Sequence, residues 1–449
     1  MDRKQFIDAL FARAKEAGFE ACEVYYSAAD SFDTDVFKNE IIKYSAAESL
    51  GLGFRGLYND RMGYASTQIL DADAIDLLVD GAKDNALLIE SEDKQFLYPG
   101  DESYATLETC NPALREISAA DKIAMARELE RLTLAQDPRI EQVDGCSVIS
   151  EEAEICIVNT LGLNVSTRAN LIGGYVAPIA RDGEKVNSGF AYFFTLDPKS
   201  IDLEKVARQA AERALSGLDA QPVESGAMAV ALNPDAAADL LQTFSSVFSA
   251  EYAQKGLSLL NGREGEVIAA ECVTIVDNPH LAGSIASAPF DGEGVATRPT
   301  KVVDGGRLTT LLHNLKTAHK QGVETTANAA RGYSSPVTVA PTNFYFQPSE
   351  LSADELLAKL GDGLLITEVS GLHAGANAIS GDFSLSAKGF RVREGKRAEA
   401  VNQITVAGNF YQLLKDVVAV GSDLAFGMPS GSQFGSPMLL ISSLSIAGK

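Results

Sequence analysis

The stretch TDVFKNEIIKYSAAESLGLGFRGLYNDRMGYAST, residues 34–67, decides the fold class. Apolar and polar side chains alternate through Val36/Lys38/Glu40/Ile42, Leu50/Leu52/Phe54 and Met62/Tyr64, and Asn59-Asp60 marks a turn. Period-two alternation broken by turn residues reads as a meander of antiparallel strands. Upstream, a strand is expected at 22–27. Before it, Phe6, Ile7, Leu10, Phe11 and Ala14 recur at helical spacing, with Gly18 placed as a C-cap, which predicts a helix over 3–17. Downstream, 71–88 opens on capping Asp residues and carries Ile75, Leu78 and Val79 on one helical face.

Residues 1–112 therefore read as an N-terminal α+β domain, ending in the Pro/Gly-punctuated region 98–112. A middle α+β segment, 113–222, has a charged helix at 119–135, β alternation from 140 to 195 and a second helix at 203–218. The remainder, 223–449, reads as a larger β-rich C-terminal domain. It opens with a strand at 228–232 and a helix from about 235 to 254. Strands follow at 267–276, 302–311, 342–346, 364–369, 389–393, 401–406 and 438–446, with helices near Thr317 and at 353–360. Strands do not alternate regularly with helices, so the class is α+β rather than a doubly wound sheet.

The 449 residues carry 38 Lys+Arg against 61 Asp+Glu, a net charge of −23, and 46% are hydrophobic. A chain this acidic, without a Lys/Arg-rich run, lacks the surface that releases counterions from phosphate backbones, which argues against direct nucleic-acid binding. The longest uncharged run, 424–448, is laced with Ser, Gly and Pro and would strand polar groups in lipid. The first residues, Met1-Asp2-Arg3-Lys4-Gln5-Phe6, form no apolar h-region, so a cytoplasmic location is expected. Five dispersed cysteines without a C-x-x-C read as reduced, mostly buried thiols.

Gly51-Leu52-Gly53-Phe54-Arg55-Gly56 spells G-x-G-x-x-G, but a turn follows where a dinucleotide site needs a helix N-terminus. There is no Walker A sequence and no G-x-S-x-G elbow. The histidines are His280, His313, His319 and His373, and no two have the one-turn spacing of a helical zinc site. Three C-terminal segments have unusual local chemistry. They are APFDGEG at 288–294, ISGDFS at 379–384 and GMPSGSQFGSP at 427–437. Taken alone, Gly-Asp turns of this kind mostly serve backbone geometry.

In this order, the segments ECVTIVDNPHL (271–281), SAPFDGEGVATRPTKVVDGGRL, TEVSGLHAGANAISGDFSLSAKGFRV, ITVAGNF and GSPMLLISSLSIAG resemble the TldD/PmbA family, in its PmbA/TldE branch. The N-terminal helix, FKNEIIKYSAAESLGLGF and VNTLGLNVSTR fit as well, so the resemblance spans essentially the whole chain. It implies a subunit of a two-subunit metalloprotease acting on unfolded peptides. In that assembly the TldD-type partner holds zinc through an H-E-x-x-x-H helix and a C-terminal cysteine. The family's older label, modulator of DNA gyrase, implies no DNA contact.

The corresponding helix here reads LLQTFSSV over 240–247, so Gln242, Thr243 and Val247 stand about where the first His, the Glu and the second His would be. Neither a Gln amide nor a Val replaces imidazole on zinc, and Thr cannot act as the carboxylate base. No His precedes His280, and the last Cys is Cys272, so the C-terminal loop offers Gly427-Met428-Pro429 instead of a thiolate. The expectation is a chain with no catalytic residue, metal or cofactor of its own, with zinc in a TldD-type partner. Ser380, Gly381, Asp382, Phe383, Ser384, Gly431 and Gly435 are its expected peptide-contacting residues. Partnership is expected as a heterodimer with a TldD-type subunit or as a homodimer. Two alternatives stay open. One is a stand-alone homodimeric peptide- or ligand-binding protein without protease activity. The other is a protease whose divergent metal site draws on His280, His313 or His373 with Asp291, Glu293 or Asp382.

Overall fold

The computed structural model describes residues 1–90 and 93–449. The meander forms as strands β1 (Ala21–Phe37), β2 (Glu40–Tyr58) and β3 (Arg61–Thr67). Both hairpin turns use left-handed residues, Asn59-Asp60 as expected and Lys38-Asn39 inside the stretch 36–42 that alternation marks as strand, as two-residue loops between twisted strands require. The expected strand at 22–27 is thus the first part of a longer one. Its middle, Ala28–Asp33, is small and polar apart from Phe32 and gains strand character from neighbours on both sides.

One of those neighbours comes from the middle segment. Strands β4 (Ile140–Asn159), β5 (Asn164–Asp182), β6 (Lys185–Ser188) and β7 (Ala191–Thr195) join the same sheet, in the order β3-β2-β1-β4-β5-β6, with β7 also on β5. The 112/113 division expected from sequence falls in the connection between β3 and β4, yet β1 and β4, on either side of it, pair from Glu23–Asn159 to Asp35–Ser147. Helices α1 (Arg3–Glu16) and α2 (Ala72–Leu88) bury Phe6, Leu10, Ile75, Leu78 and Val79 on Val24, Leu52 and Phe54 at one end. Helices α3 (Ala119–Leu134) and α4 (Leu203–Ser216) cover the other end through Leu129, Val206 and Ala210.

The C-terminal region holds two six-stranded sheets and one two-stranded sheet. In the first, strand β8 (Gly226–Leu232) lies between strands Gly363–Ser370 and Leu439–Ala447. Strands Asp382–Arg393 and Lys396–Asn409 extend it, and the latter pairs back onto 439–447, which closes five strands into a ring. The second sheet includes Thr300–Asp304, Ile275–Asp277, Asn343–Phe346 and Gln433–Ser436. Phe244, Phe248, Phe344, Phe346 and Phe410 fill the largest core, with Phe244 and Phe410 stacked at 4.7 Å. Among the described residues only two strand pairs are parallel, so the class is α+β, as the alternation predicts.

Three local expectations need correction. The helix from about 235 to 254 is three pieces: helix α5 (Pro234–Phe244), a 3-10 turn (Ser245–Phe248) and a short helix (Ala250–Gln254). Ser245 Oγ donates to the Gln242 carbonyl where the first helix ends, and the extended backbone of Ser249 separates the 3-10 turn from the short helix. The strand at 267–276 shrinks to Ile275–Asp277, because Ile268 and Ala269 spend their amides on the Gly306 carbonyl in a loop. The strand at 302–311 is a hairpin turning at Gly305-Gly306, both with positive φ.

Charge holds the first sheet to the C-terminal region. On the sheet face away from the helices, Glu23 bonds Arg55 and Arg331 at 2.7 and 2.6 Å, and Arg55 also approaches Glu293 at 3.6 Å. Asn159 donates to the second oxygen of Glu23, and Arg331 lies over the Tyr25 ring. These ions are all buried. Burial works against the Glu23 charge, yet Arg55 and Arg331 hold its carboxyl below the usual range. Asp291 caps the 291–295 turn through the Glu293 and Val295 amides and also accepts from Ala329.

Candidate functional site

Helix α5 begins at Asn233, whose side chain accepts the Ala236 amide, with Pro234 in the first turn. Its apolar face, Ala237, Leu240, Leu241 and Phe244, enters the core. The opposite face carries Asp235, Asp239 and Gln242, at the i, i+4, i+7 spacing of one helical stripe, into a cleft of about 1070 Å³. The cleft separates the middle segment from the C-terminal region. On the first side it is lined by Asn187 and Ser188 of β6, Tyr192 of β7 and Arg213 of α4. On the second, Glu368, Lys388 and Phe390 face them, together with the loop 427–430.

Two polar contacts cross the cleft. Arg213 pairs with Asp235 at 2.6 Å, and the Tyr192 hydroxyl donates to the Phe426 carbonyl at 3.2 Å. Lys388 pairs with Glu368. The Asp239 carboxylate, on the helix itself, has no hydrogen-bond or ion-pair partner among the described residues. Burial, then the charges of Asp235 and Glu368, push its carboxyl up to about 6. Sequence reading missed Asp239, although its spacing from Gln242 along α5 was available.

The expected residues separate in the structure. Gln242 lines the cleft, and its side-chain amide donates to Ser430 Oγ at 3.0 Å. That bond ties helix to loop where the resemblance puts a metal between helix and cysteine. Thr243 turns its hydroxyl back onto the Asp239 carbonyl at 2.8 Å. Val247 sits on the 3-10 turn, wholly buried in the core. These three side chains do not converge, and an amide, a hydroxyl and an isopropyl group do not fit zinc.

Gly431 follows Ser430 in left-handed conformation with open space around it. Gly435 lies in the strand 433–436, where a Cβ would stand 2.7 Å from the Phe426 ring. The 380–384 turn lies at the start of the strand Asp382–Arg393, whose residues 388–390 reach the cleft. At about 3.3 Å per residue, Phe383 is roughly 16 Å along the strand from Lys388. Ser380 accepts Asn409 Nδ2 at its carbonyl, and Gly381 takes a positive φ against Tyr411. The Asp382 carboxylate accepts Asn409 Nδ2 at 2.9 Å. Phe383 is buried 6.1 Å from Phe244, and Ser384 is exposed.

Among the histidines, His313 is buried beside the Thr317 hydroxyl and His280 bonds Thr297, while His373 is exposed. Among the described residues, no group of three His, Cys, Asp or Glu side chains could hold a metal ion, and no helix is long and apolar enough to cross a membrane. Cys22, Cys146 and Cys156 are buried and Cys272 is exposed, all as free thiols.

Sequence profiles of the PmbA/TldA metallopeptidase match in succession: domain 1 over 22–86, the central domain over 112–218 and the C-terminal domain over 225–448. Metalloprotease PmbA of Escherichia coli O157:H7 is 28% identical over 97% of this chain and 96% of its own length. A metalloprotease of Methanothermobacter thermautotrophicus is 29% identical over 63% of each chain. A Thermotoga maritima crystal structure, described as a modulator of DNA gyrase, superimposes with a TM-score of 0.91 at 33% identity, covering 99% of this chain and 100% of that one. TldE of Thermococcus kodakarensis shares the fold, with a TM-score of 0.90 at 22% identity over 99% and 100% of the two chains. With all three profiles matched in order and a third of the residues shared along a full-length relative, the chain belongs to the PmbA/TldD metallopeptidase family.

Proposed function

We propose that this chain is the PmbA/TldE-type subunit of a cytoplasmic TldD/TldE-like metalloprotease acting on unfolded peptides, and that it lacks a zinc site of its own. The observation that carries this reading is the Gln242–Ser430 hydrogen bond, which joins helix and loop by neutral side chains. In this reading the TldD-type partner supplies the zinc and the chain supplies a peptide-holding wall. The cleft suits an extended chain: β6 ends its sheet and turns Asn187 and Ser188 into the cleft, so a peptide can add to a strand edge there. Folded proteins do not present such strands. The loop at Gly431 adjoins this cleft, while the 380–384 turn is assigned to the chamber wall through the resemblance. Binding of a fluorescent unstructured peptide to the purified chain tests the cleft. The reading expects saturable binding that Tyr192→Ala and Gln242→Arg weaken severalfold, and unaltered binding in both variants would refute it.

A further inference from the structure

The G-x-G-x-x-G stretch of β2 takes no part in the cleft, yet it forms one wall of a second cavity. This cavity, about 310 Å³, lies between β2, β3, the end of α2 and the loop 331–336. Gly53 makes the approach possible, since a Cβ there would overlap the Tyr333 carbonyl.

The lining is one-sided in charge. It includes Arg55, Arg331, Asn85 and the hydroxyls of Ser66, Ser334 and Ser335, and its described residues include no Asp or Glu. That is a marked local reversal in a chain with 61 acidic and 38 basic residues. Two carboxylates and the Gly292 carbonyl hold the two guanidinium groups and leave Arg55 Nη2 over. A single oxygen of Glu23 accepts from both, and Glu293 stands 3.6 Å from Arg55 Nη1. Arg55 is 1% exposed, and its Nη2 is buried with no hydrogen-bond partner among the described residues. A buried charged donor left unpaired has lost its water without gaining a partner, and an anion within reach removes that cost. Burial and the charge of Arg55 lower the Arg331 pKa, a strain that a nearby negative charge relieves.

We propose that this cavity binds a small oxyanion, a carboxylate or a phosphate group, on Arg55 and Arg331, with Asn85 and the serine hydroxyls as further donors. Guanidinium forks match both groups in shape and charge. The volume is at the low end of ligand pockets, which suits a short carboxylic acid or a small phosphate ester. Its position gives the anion a bracing role, because β2 and the loop 331–336 come from distant parts of the chain. The proposal does not rest on the peptide-cleft reading.

The test is titration calorimetry of the full chain, purified without phosphate or carboxylate buffers, with inorganic phosphate and separately with succinate at constant ionic strength. Asn85 is exposed and accepts the Tyr64 amide through its side-chain oxygen, so Asn85→Asp keeps that bond and reverses the charge preference at the cavity. We expect one-site binding of at least one probe, weakened tenfold or more by Asn85→Asp and tightened by Asn85→Lys. The probe that binds identifies the source as phosphate-bearing or carboxylate-bearing. No saturable heat with either probe, or equal binding by wild type and Asn85→Asp, which would mean an adventitious ion only, overturns the proposal.

Discussion

Glu23 and Arg55 stand directly opposite each other on β1 and β2, with Arg55 Nε 2.7 Å from Glu23 Oε1 and both side chains buried. Arg331, 308 residues after Glu23, bonds the same oxygen. A cross-strand pair inside the N-terminal sheet is thus completed by the C-terminal region, so sheet and C-terminal region are held in one arrangement.

Removing the Glu23 charge leaves Arg331 with no carboxylate among the described residues and Arg55 with only Glu293 at 3.6 Å, both in a dry environment. Glu23→Gln should destabilise the protein by about 3–5 kcal/mol, the range for breaking a buried ion pair from one side. Thermal denaturation checks it, and a fall in Tm no larger than for an exposed pair such as Arg131–Glu128 would show that water reaches the junction.

Gly53→Ala should push the loop 331–336 away from β2, since the new methyl group overlaps the Tyr333 carbonyl. Overpacking of this kind costs about 1–3 kcal/mol. Limited proteolysis should cut at Ser334–Pro336 faster in the variant than in the wild type, while cleavage within α1 stays unchanged.

Asp239 gives the cleft a pH dependence. Its carboxyl titrates near 6 in the folded chain, above the value of about 3.9 in an unfolded one, so the folded state holds the proton more tightly. The stabilising contribution is therefore full below about pH 4 and is lost as pH rises through 6, at most about 3 kcal/mol. Asp239→Asn should flatten this part of the curve of Tm against pH. A curve parallel to the wild type would mean that solvent or a counter-ion already neutralises Asp239.

Restoring the ligand types should not restore a metal site. In the triple variant Gln242→His, Thr243→Glu, Val247→His, the last side chain replaces a fully buried core residue on a 3-10 turn. The expected result is a Tm lowered by the equivalent of about 3 kcal/mol or more and no stoichiometric zinc by elemental analysis.

Asp382 is proposed as a peptide-contacting residue of the assembled pair, and Asp382→Ala should impair cleavage or assembly of the complex. Its fold role is modest, since the carboxylate is exposed and bonds Asn409 at the end of a strand. Normal assembly and cleavage by the variant would remove the 380–384 turn from the wall.

What was legible in the sequence follows from the range of the interactions. The meander and the helices around it were legible because alternation, caps and turn residues act within a few positions. Asn59-Asp60 fixes its hairpin wherever the rest of the chain goes. Ala28–Asp33 gave no such signal, because its strand character comes from Ser45–Leu50 on one side and from Ile149–Glu154, more than 100 positions away, on the other. Arg331 was invisible for the same reason: a lone Arg in a Gly/Ser-rich stretch becomes central only when Glu23 meets it. At the cleft, Gln242 was found through the motif, while Val247 shows why a motif position is not a site. The helix ends at Phe244, and a tighter turn carries residue 247 into the core.

The central claim is that this chain is the non-zinc subunit of a peptide-cleaving pair. The most direct measurement is cleavage of an unstructured peptide by the chain alone in added zinc, and again with a TldD-type subunit, with metal content determined on the same samples. The account predicts no bound zinc and no cleavage alone, and chelator-sensitive cleavage only in the pair. Stoichiometric zinc with chelator-sensitive cleavage by the isolated chain would contradict it.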